Sequence, residues 1–348
     1  MPNSTPIAGL PPGLTEEQVK EAIRSSGYPL QIDVARALRL FLVESGIGHW
    51  HVHEEWHFKD SRTGVSRTLD ALVELAPIEW NLALSPQLRP HLTLLVECKQ
   101  SNLPYVFFAT ENASRAHRFP VLAGLAHPQL SIATDDDPSK WALDVLDALG
   151  MSSHPFVTAP PHTCATFSKC VRKGRKLELS GAAPFRSVVA PLMSAAHHYV
   201  AVHQPVPTAA HFDCRFVVPL VVIDGPLLVA TNVMGEEGLS TAQWIRVVRH
   251  HSPDGRHWEH DRDVFALDVV HRTFLEEYLK THAMPFAVEL AHRVEKHALV
   301  LASGKGFVKG MGSQWHREIE SRLAPQRHIA IANKSLTWLE RLLARARR

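Results

Sequence analysis

The sequence predicts an α/β (α+β) protein in which a central mixed sheet is flanked by helices. Three observations predict it. Apolar residues fall at helical spacing over 32–45 and then at strict two-residue alternation over 49–58, so the period changes from 3.6 to 2 within a few residues. Two near-continuous apolar runs, Leu92–Val96 and Arg215–Ile223, have the pattern of strands buried on both faces. A second helical stretch, 182–203, lies between them and can cover the sheet.

Composition limits the rest. The chain has 348 residues, 45% hydrophobic and 21% charged, enough to bury a large core. A formal charge of +2 implies no polyanion partner by itself, so a nucleic-acid surface would have to come from local clustering. The four cysteines, Cys98, Cys164, Cys170 and Cys214, have no C-x-x-C spacing, which argues against a zinc ribbon or a disulfide scaffold and fits a reducing cytoplasm. No signal peptide or membrane-length apolar run is visible, so no membrane partner is expected.

Residues 1–13 are rich in Pro and Gly. Thr15 followed by Gln18 reads as a capping box that starts a helix ending near Gly27. Pro29 marks a break, and a second helix is expected from about Ile32 to Ser45, with Val34, Leu38, Phe41 and Leu42 on one face and Glu44 in its last turn. An acid there opposes the helix dipole. The stretch 49–58 is a strand with His49, His51, His53, Glu55 and His57 expected on one face and Trp50, Val52, Glu54, Trp56 and Phe58 on the other. A turn at 59–64, with Gly64 able to take positive φ, leads into a returning strand over Val65–Leu75. Asp70 lies inside that strand between Leu69 and Ala71, where a charge needs a reason.

The third strand, Leu92–Gln100, ends in Glu97, Cys98 and Lys99. Alternation puts Glu97 and Lys99 side by side on one face, and both are costly at the end of a buried strand unless they pair or bind something. Pro104–Ala109 reads as a short apolar strand or turn, and residues 110–165 are mixed, with an acidic run Asp135-Asp136-Asp137 that suits a helix start and the helix-like segment 141–150. Lys169, Arg172, Lys173, Arg175 and Lys176 form the densest basic run. It reads as a solvated loop or as contacts to a nucleic-acid backbone. Leu227–Ala230 and Trp244–Val248 are further strand candidates, and Phe265–Val270 leads into a helix over Thr273–Thr281. His250, His251, His257 and His260 crowd the loop before that segment. Residues 285–348 read as helices, the last carrying Leu336, Leu339, Leu342 and Leu343.

If the second and third strands neighbour each other, Asp70 and Glu97 can face one spot. Two carboxylates with a backbone carbonyl, such as that of Cys98, make an oxygen-rich site that suits Mg²⁺ or Mn²⁺. Lys99 could orient a water beside it, which is the chemistry of phosphodiester hydrolysis.

The run Arg67-Thr68-Leu69-Asp70-Ala71, followed by Leu95-Val96-Glu97-Cys98-Lys99-Gln100, resembles the PD-(D/E)XK nuclease superfamily. It is most similar to the Mrr-type and Holliday-junction-resolvase-like branch. The resemblance implies a restriction-endonuclease-like core over 1–284, interrupted by a helical insertion at about 104–180, with a C-terminal helical extension over 285–348. It implies Asp70, Glu97 and Lys99 as catalytic residues, Glu44 as the helix-borne acid and Gln100 as a weaker match. It also implies Mg²⁺ or Mn²⁺ as cofactor, DNA as partner and action as a homodimer in many members. Leu69 stands where the signature has proline. Two other readings remain open: a module of the same fold that binds nucleic acid without cleaving it, and a histidine-rich metalloprotein using His49, His51 and His53.

Overall fold

The computed structural model describes residues 10, 11, 13–60, 63–80, 87–109, 119–135, 140–206, 211–233, 236–250, 264–309 and 318–326. Helix α1 (Glu16–Ser25) opens with the expected capping box: Thr15 and Gln18 each accept the other's backbone N–H through a side-chain oxygen. Helix α2 (Tyr28–Glu44) starts earlier than expected. Pro29 lies in its first turn, where a missing N–H has no intrahelical partner anyway, so it begins the helix instead of breaking it. Strands β1 (Trp50–Lys59) and β2 (Ser66–Leu75) form the hairpin, with Gly64 at φ 69 in its turn. Strand β3 (Gln87–Gln100) follows and pairs antiparallel with β2.

The segment 104–180 is not a helical insertion. It holds β4 (Tyr105–Ala109), β5 (Val121–Ala123), β6 (Gln129–Thr134), β7 (Lys140–Asp144), two single-turn helices, α3 (Val145–Ala148) and α4 (Pro155–Thr158), and then β8 (Thr163–Lys173) and β9 (Lys176–Ser180). The helix-like 141–150 is split: its first half pairs with β6, because a cross-strand partner outweighs local propensity. The basic run is a β-hairpin turning at Gly174, φ 63, and not a loop.

Helix α5 (Ala182–Pro184), a π-helical turn at Phe185–Val189 and α6 (Ala190–Val202) form one helical stretch where one is expected. Strands β10 (His211–Asp224), β11 (Leu227–Val233), β12 (Glu236–Thr241), β13 (Trp244–His250) and β14 (Val264–His271) come next. After a 3₁₀ turn at Arg272–Phe274, helix α7 (Leu275–Tyr278), a π-helical turn at Leu279–Ala283 and α8 (Met284–Lys296) run on, followed by α9 (Ala298–Ser303). The C-terminal part is not all helix either: β15 (Lys305–Val308), α10 (Ile319–Arg322) and β16 (Leu323–Pro325) bring strands back. Asp136, Asp137, His251, His257, His260 and the leucine stripe at 336–343 lie outside the described residues.

The main sheet has the order β1-β2-β3-β10-β14-β13-β8-β4-β11-β12, with β5 on β10 and β9 on β8. Strands β16-β15-β6-β7 form a smaller sheet. The centre is parallel: β3 and β10 pair from Gln87↔His211 to Gln100↔Asp224, and β10 pairs with β14. Alternate residues of these strands feed two cores. Leu92, Leu94, Val96, Phe216, Val218 and Leu220 pack with α2 and α8 on one face. Leu95, Val217 and Val221 pack with α6 on the other. That double burial is why these strands read as continuous apolar runs.

One buried ion pair ties the layers together. Arg246 on β13 donates from Nε and Nη2 to the two carboxylate oxygens of Asp268 on β14, at 2.8 Å each. Its Nη1 donates to the carbonyls of Phe156 and Val157, and Tyr278 donates to Asp268 at 2.7 Å. Both charges are fully satisfied, the condition for holding them in a dry core.

Candidate active site

The β2–β3 ladder runs from Leu75↔Leu92 to Ala71↔Val96 and stops. The next residues would be Asp70 and Glu97. There the strands part and the Asp70 side chain fills the gap: its Oδ2 accepts the backbone N–H of Cys98 at 2.6 Å. The Asp70 carbonyl turns to α2, where it accepts from Gln31 Nε2 at 3.2 Å. The β1–β2 ladder is interrupted at the same place. Glu54↔Ala71 and Trp56↔Leu69 are paired, but Glu55 between them is left-handed, with φ 50. Asp70 therefore sits between two opened ladders.

The strand faces exchange at this point. Trp50, Val52, Ala71 and Val73 pack in the α2 core, whereas Trp56, Phe58 and Leu69 pack in the α6 core. A single unbroken alternation over 49–58 is thus corrected: the left-handed residue re-aims everything after it. His57 does not share a face with His51 and His53, and it contacts the Thr68 hydroxyl at 2.7 Å. His49 stacks on Trp80 at 4.7 Å, and the rings of His51 and His53 lie 6.0 Å apart.

Glu97 is buried, at 7% exposure, on the α6 face of β3. Its Oε1 pairs with Lys99 Nζ, as alternation on a strand predicts. Its Oε2 is buried without a hydrogen-bond partner among the described residues. Burial, assisted by the Asp70 charge, pushes the Glu97 carboxyl up to about 7 against the opposing pull of Lys99. Burial likewise raises Asp70; the Cys98 N–H and Lys99 pull the other way, and the charge of Glu55 adds to the rise. The Cys98 thiol points into the α2 core, and burial holds it protonated far above its ordinary range. The Cys98 carbonyl projects to the same strand edge as its N–H, towards Asp70.

Asp70, Glu97, Lys99 and the Cys98 backbone are therefore brought together. Glu44 is not. It is the exposed last residue of α2, whereas Gln31 near the start of that helix meets Asp70. Roughly thirteen residues at about 1.5 Å each put Glu44 about 20 Å further along. Gln100 is exposed at the end of β3, opposite Asp224 on β10. The basic residues lie on the β8–β9 hairpin. Lys169 stands over the Tyr105 ring at 5.5 Å, Lys173 pairs with Glu178 at 3.5 Å, and Arg172, Arg175 and Lys176 are exposed. The register Tyr105↔Lys169 and the Cys170 N–H bond to the Pro104 carbonyl root this hairpin at the turn that follows β3. It springs from the end of the sheet that carries Glu97 and Lys99.

Two neighbours of the site do not stand out in the sequence. Gln31 carries no periodic signal beyond its place on a helix. Glu55 reads only as part of an alternating strand. Elsewhere on the α6 face, Glu74, Tyr199, Arg215 and Asp213 form a second polar network. Arg215 donates to all three partners, and Tyr199 donates to Glu74.

The donors fit a hard divalent cation: one buried, unpartnered carboxylate oxygen, a second raised carboxylate and a carbonyl at one edge. Among the described residues no three His, Cys, Asp or Glu side chains converge as a ligand cluster, so such an ion would complete its shell from backbone and water. Among the described residues no helix is long and apolar enough to cross a membrane. Comparison of the chain with protein-family models, curated proteins and solved structures gives no match.

Proposed function

We propose that this chain is a divalent-cation-dependent nuclease with a restriction-endonuclease-like core, hydrolysing phosphodiester bonds in DNA. The observation that carries the reading is the buried, unpartnered Glu97 oxygen beside Asp70, where β2 and β3 part. Such an oxygen is strongly disfavoured when ionised and lacking a donor or cation. Asp70, Glu97 and the Cys98 carbonyl would hold Mg²⁺ or Mn²⁺, which polarises a scissile phosphate and lowers the pKa of a bound water. Lys99 keeps the Glu97 carboxylate oriented and, with its side chain a quarter exposed, can reach a water at the site. The β8–β9 hairpin offers Arg172, Arg175 and Lys176 to phosphates on the same end of the sheet. The same reading places the chain in the cytoplasm and, for cutting both strands, as a homodimer.

The test is incubation with supercoiled plasmid and linear duplex in Mg²⁺ or Mn²⁺. Wild type should cleave, and Glu97→Ala and Lys99→Ala should not. Wild type that binds DNA but leaves every form intact would favour the binding-module reading instead.

A further inference from the structure

The candidate site contains a third carboxylate that its two strand-borne acids do not account for. Glu55 occupies the register position opposite Asp70, between the pairs Glu54↔Ala71 and Trp56↔Leu69. Asp70 in turn faces Glu97, one step beyond Ala71↔Val96. Glu55, Asp70 and Glu97 thus form a row across three neighbouring strands. Lys99 is the cation paired within it, and it is bound to Glu97.

Glu55 holds a backbone conformation that glutamate rarely adopts. At φ 50 it is one of two non-glycine residues with positive φ among those described, and it lies in mid-strand. Glycine or asparagine takes that conformation more readily, so the backbone geometry alone gives no reason for glutamate. Among the described residues Glu55 has no hydrogen-bond or ion-pair partner, whereas its neighbour Glu54 pairs with Arg39. Its charge nevertheless acts on Asp70. A like charge beside the Asp70 carboxylate is unfavourable, and the buried Glu97 Oε2 has no hydrogen-bond partner among the described residues.

We infer that Glu55 is an outer carboxylate of the divalent-cation site, reaching the ion held by Asp70 and Glu97 through a water. This rests on the cation reading of those two residues. Glu55 is exposed whereas Glu97 is buried, so its role is that of a positioning residue acting on a bound water and not of a direct ligand.

Mn²⁺ binding to the full chain, followed by the electron paramagnetic resonance of the free ion, tests this without recourse to cleavage. Wild type should bind and Asp70→Asn should not. Glu55→Gln should weaken binding about ten-fold, the scale on which groups behind the direct ligands act. Glu55→Asp should recover most of it. Glu55→Gly should weaken binding equally while leaving Tm unchanged or higher, because glycine accepts the conformation freely. If Glu55→Gln or Glu55→Gly binds Mn²⁺ as wild type does while Asp70→Asn fails, Glu55 has no part in a cation site that still stands. If wild type binds no Mn²⁺, both the inference and the cation reading fall.

Discussion

Replacing Glu97 by glutamine should stabilise this protein at alkaline pH when no divalent cation is present. Burial raises the Glu97 carboxyl from an ordinary 4.5 to about 7. The native state therefore holds that proton more tightly than the unfolded chain does. The stability linked to it is complete below about pH 4.5 and is lost as pH rises through about 7. At about 1.4 kcal/mol per pH unit, the loss reaches about 3 kcal/mol by pH 8. Glu97→Gln keeps the shape and removes the charge. The value of about 7 already includes the pull of Lys99, so loss of that pair adds no separate cost. The variant should be about 3 kcal/mol more stable than wild type at pH 8, with the gap closing towards pH 5. Urea unfolding in chelator at pH 5, 6.5 and 8 measures this directly. A variant that is less stable at pH 8, or a difference that does not change with pH, would refute the claim that Glu97 is buried without adequate compensation.

Asp268→Asn should destabilise the fold by about 3–5 kcal/mol, since it leaves Arg246 charged and unpaired in the core; equilibrium urea melts report it. Gly124→Ala should be among the most damaging single changes, about 3 kcal/mol or more, read as a fall in Tm. Gly124 sits at φ 82, and an added Cβ would lie 1.7 Å from the Asp213 carbonyl oxygen, forcing β5 off β10. Replacing Arg172, Arg175 and Lys176 together by alanine should weaken duplex DNA binding and flatten its salt dependence. The slope of log K against log salt should fall by about 0.9 for each phosphate that is no longer neutralised, measured by fluorescence anisotropy. An unchanged slope would remove the hairpin from the interface.

The parts of the site that are legible in the sequence are those set by strand periodicity. Glu97 and Lys99 share a face because they are two residues apart. Asp70 stands out because a charge between Leu69 and Ala71 on a buried strand needs a purpose. Glu44 shows the limit. Helical spacing places an acid on a helix, but which end of that helix meets the sheet depends on packing, and here Gln31 meets Asp70. Glu55 is invisible to pattern, since a left-handed glutamate has no sequence signature and the alternation continues unbroken through it. Apart from β4, which reads as a short apolar strand or turn, the strands in 104–180 and 305–325 escape the sequence for a related reason. Strands β6 and β15 are short and half-buried, and they become strands only by pairing across a long sequence separation. The basic run is visible as charge, whereas its projection from the end of β3 arises from the Tyr105↔Lys169 register.

The central claim is that Asp70, Glu97 and the Cys98 carbonyl form one cation site. Anomalous diffraction from crystals of the full chain soaked in Mn²⁺ tests it most directly. A strong anomalous peak is expected in the gap between β2 and β3, within ligand distance of both carboxylates and the Cys98 oxygen, with a water between the ion and Glu55. An empty gap at saturating Mn²⁺, with Glu97 bound only to Lys99, would contradict it.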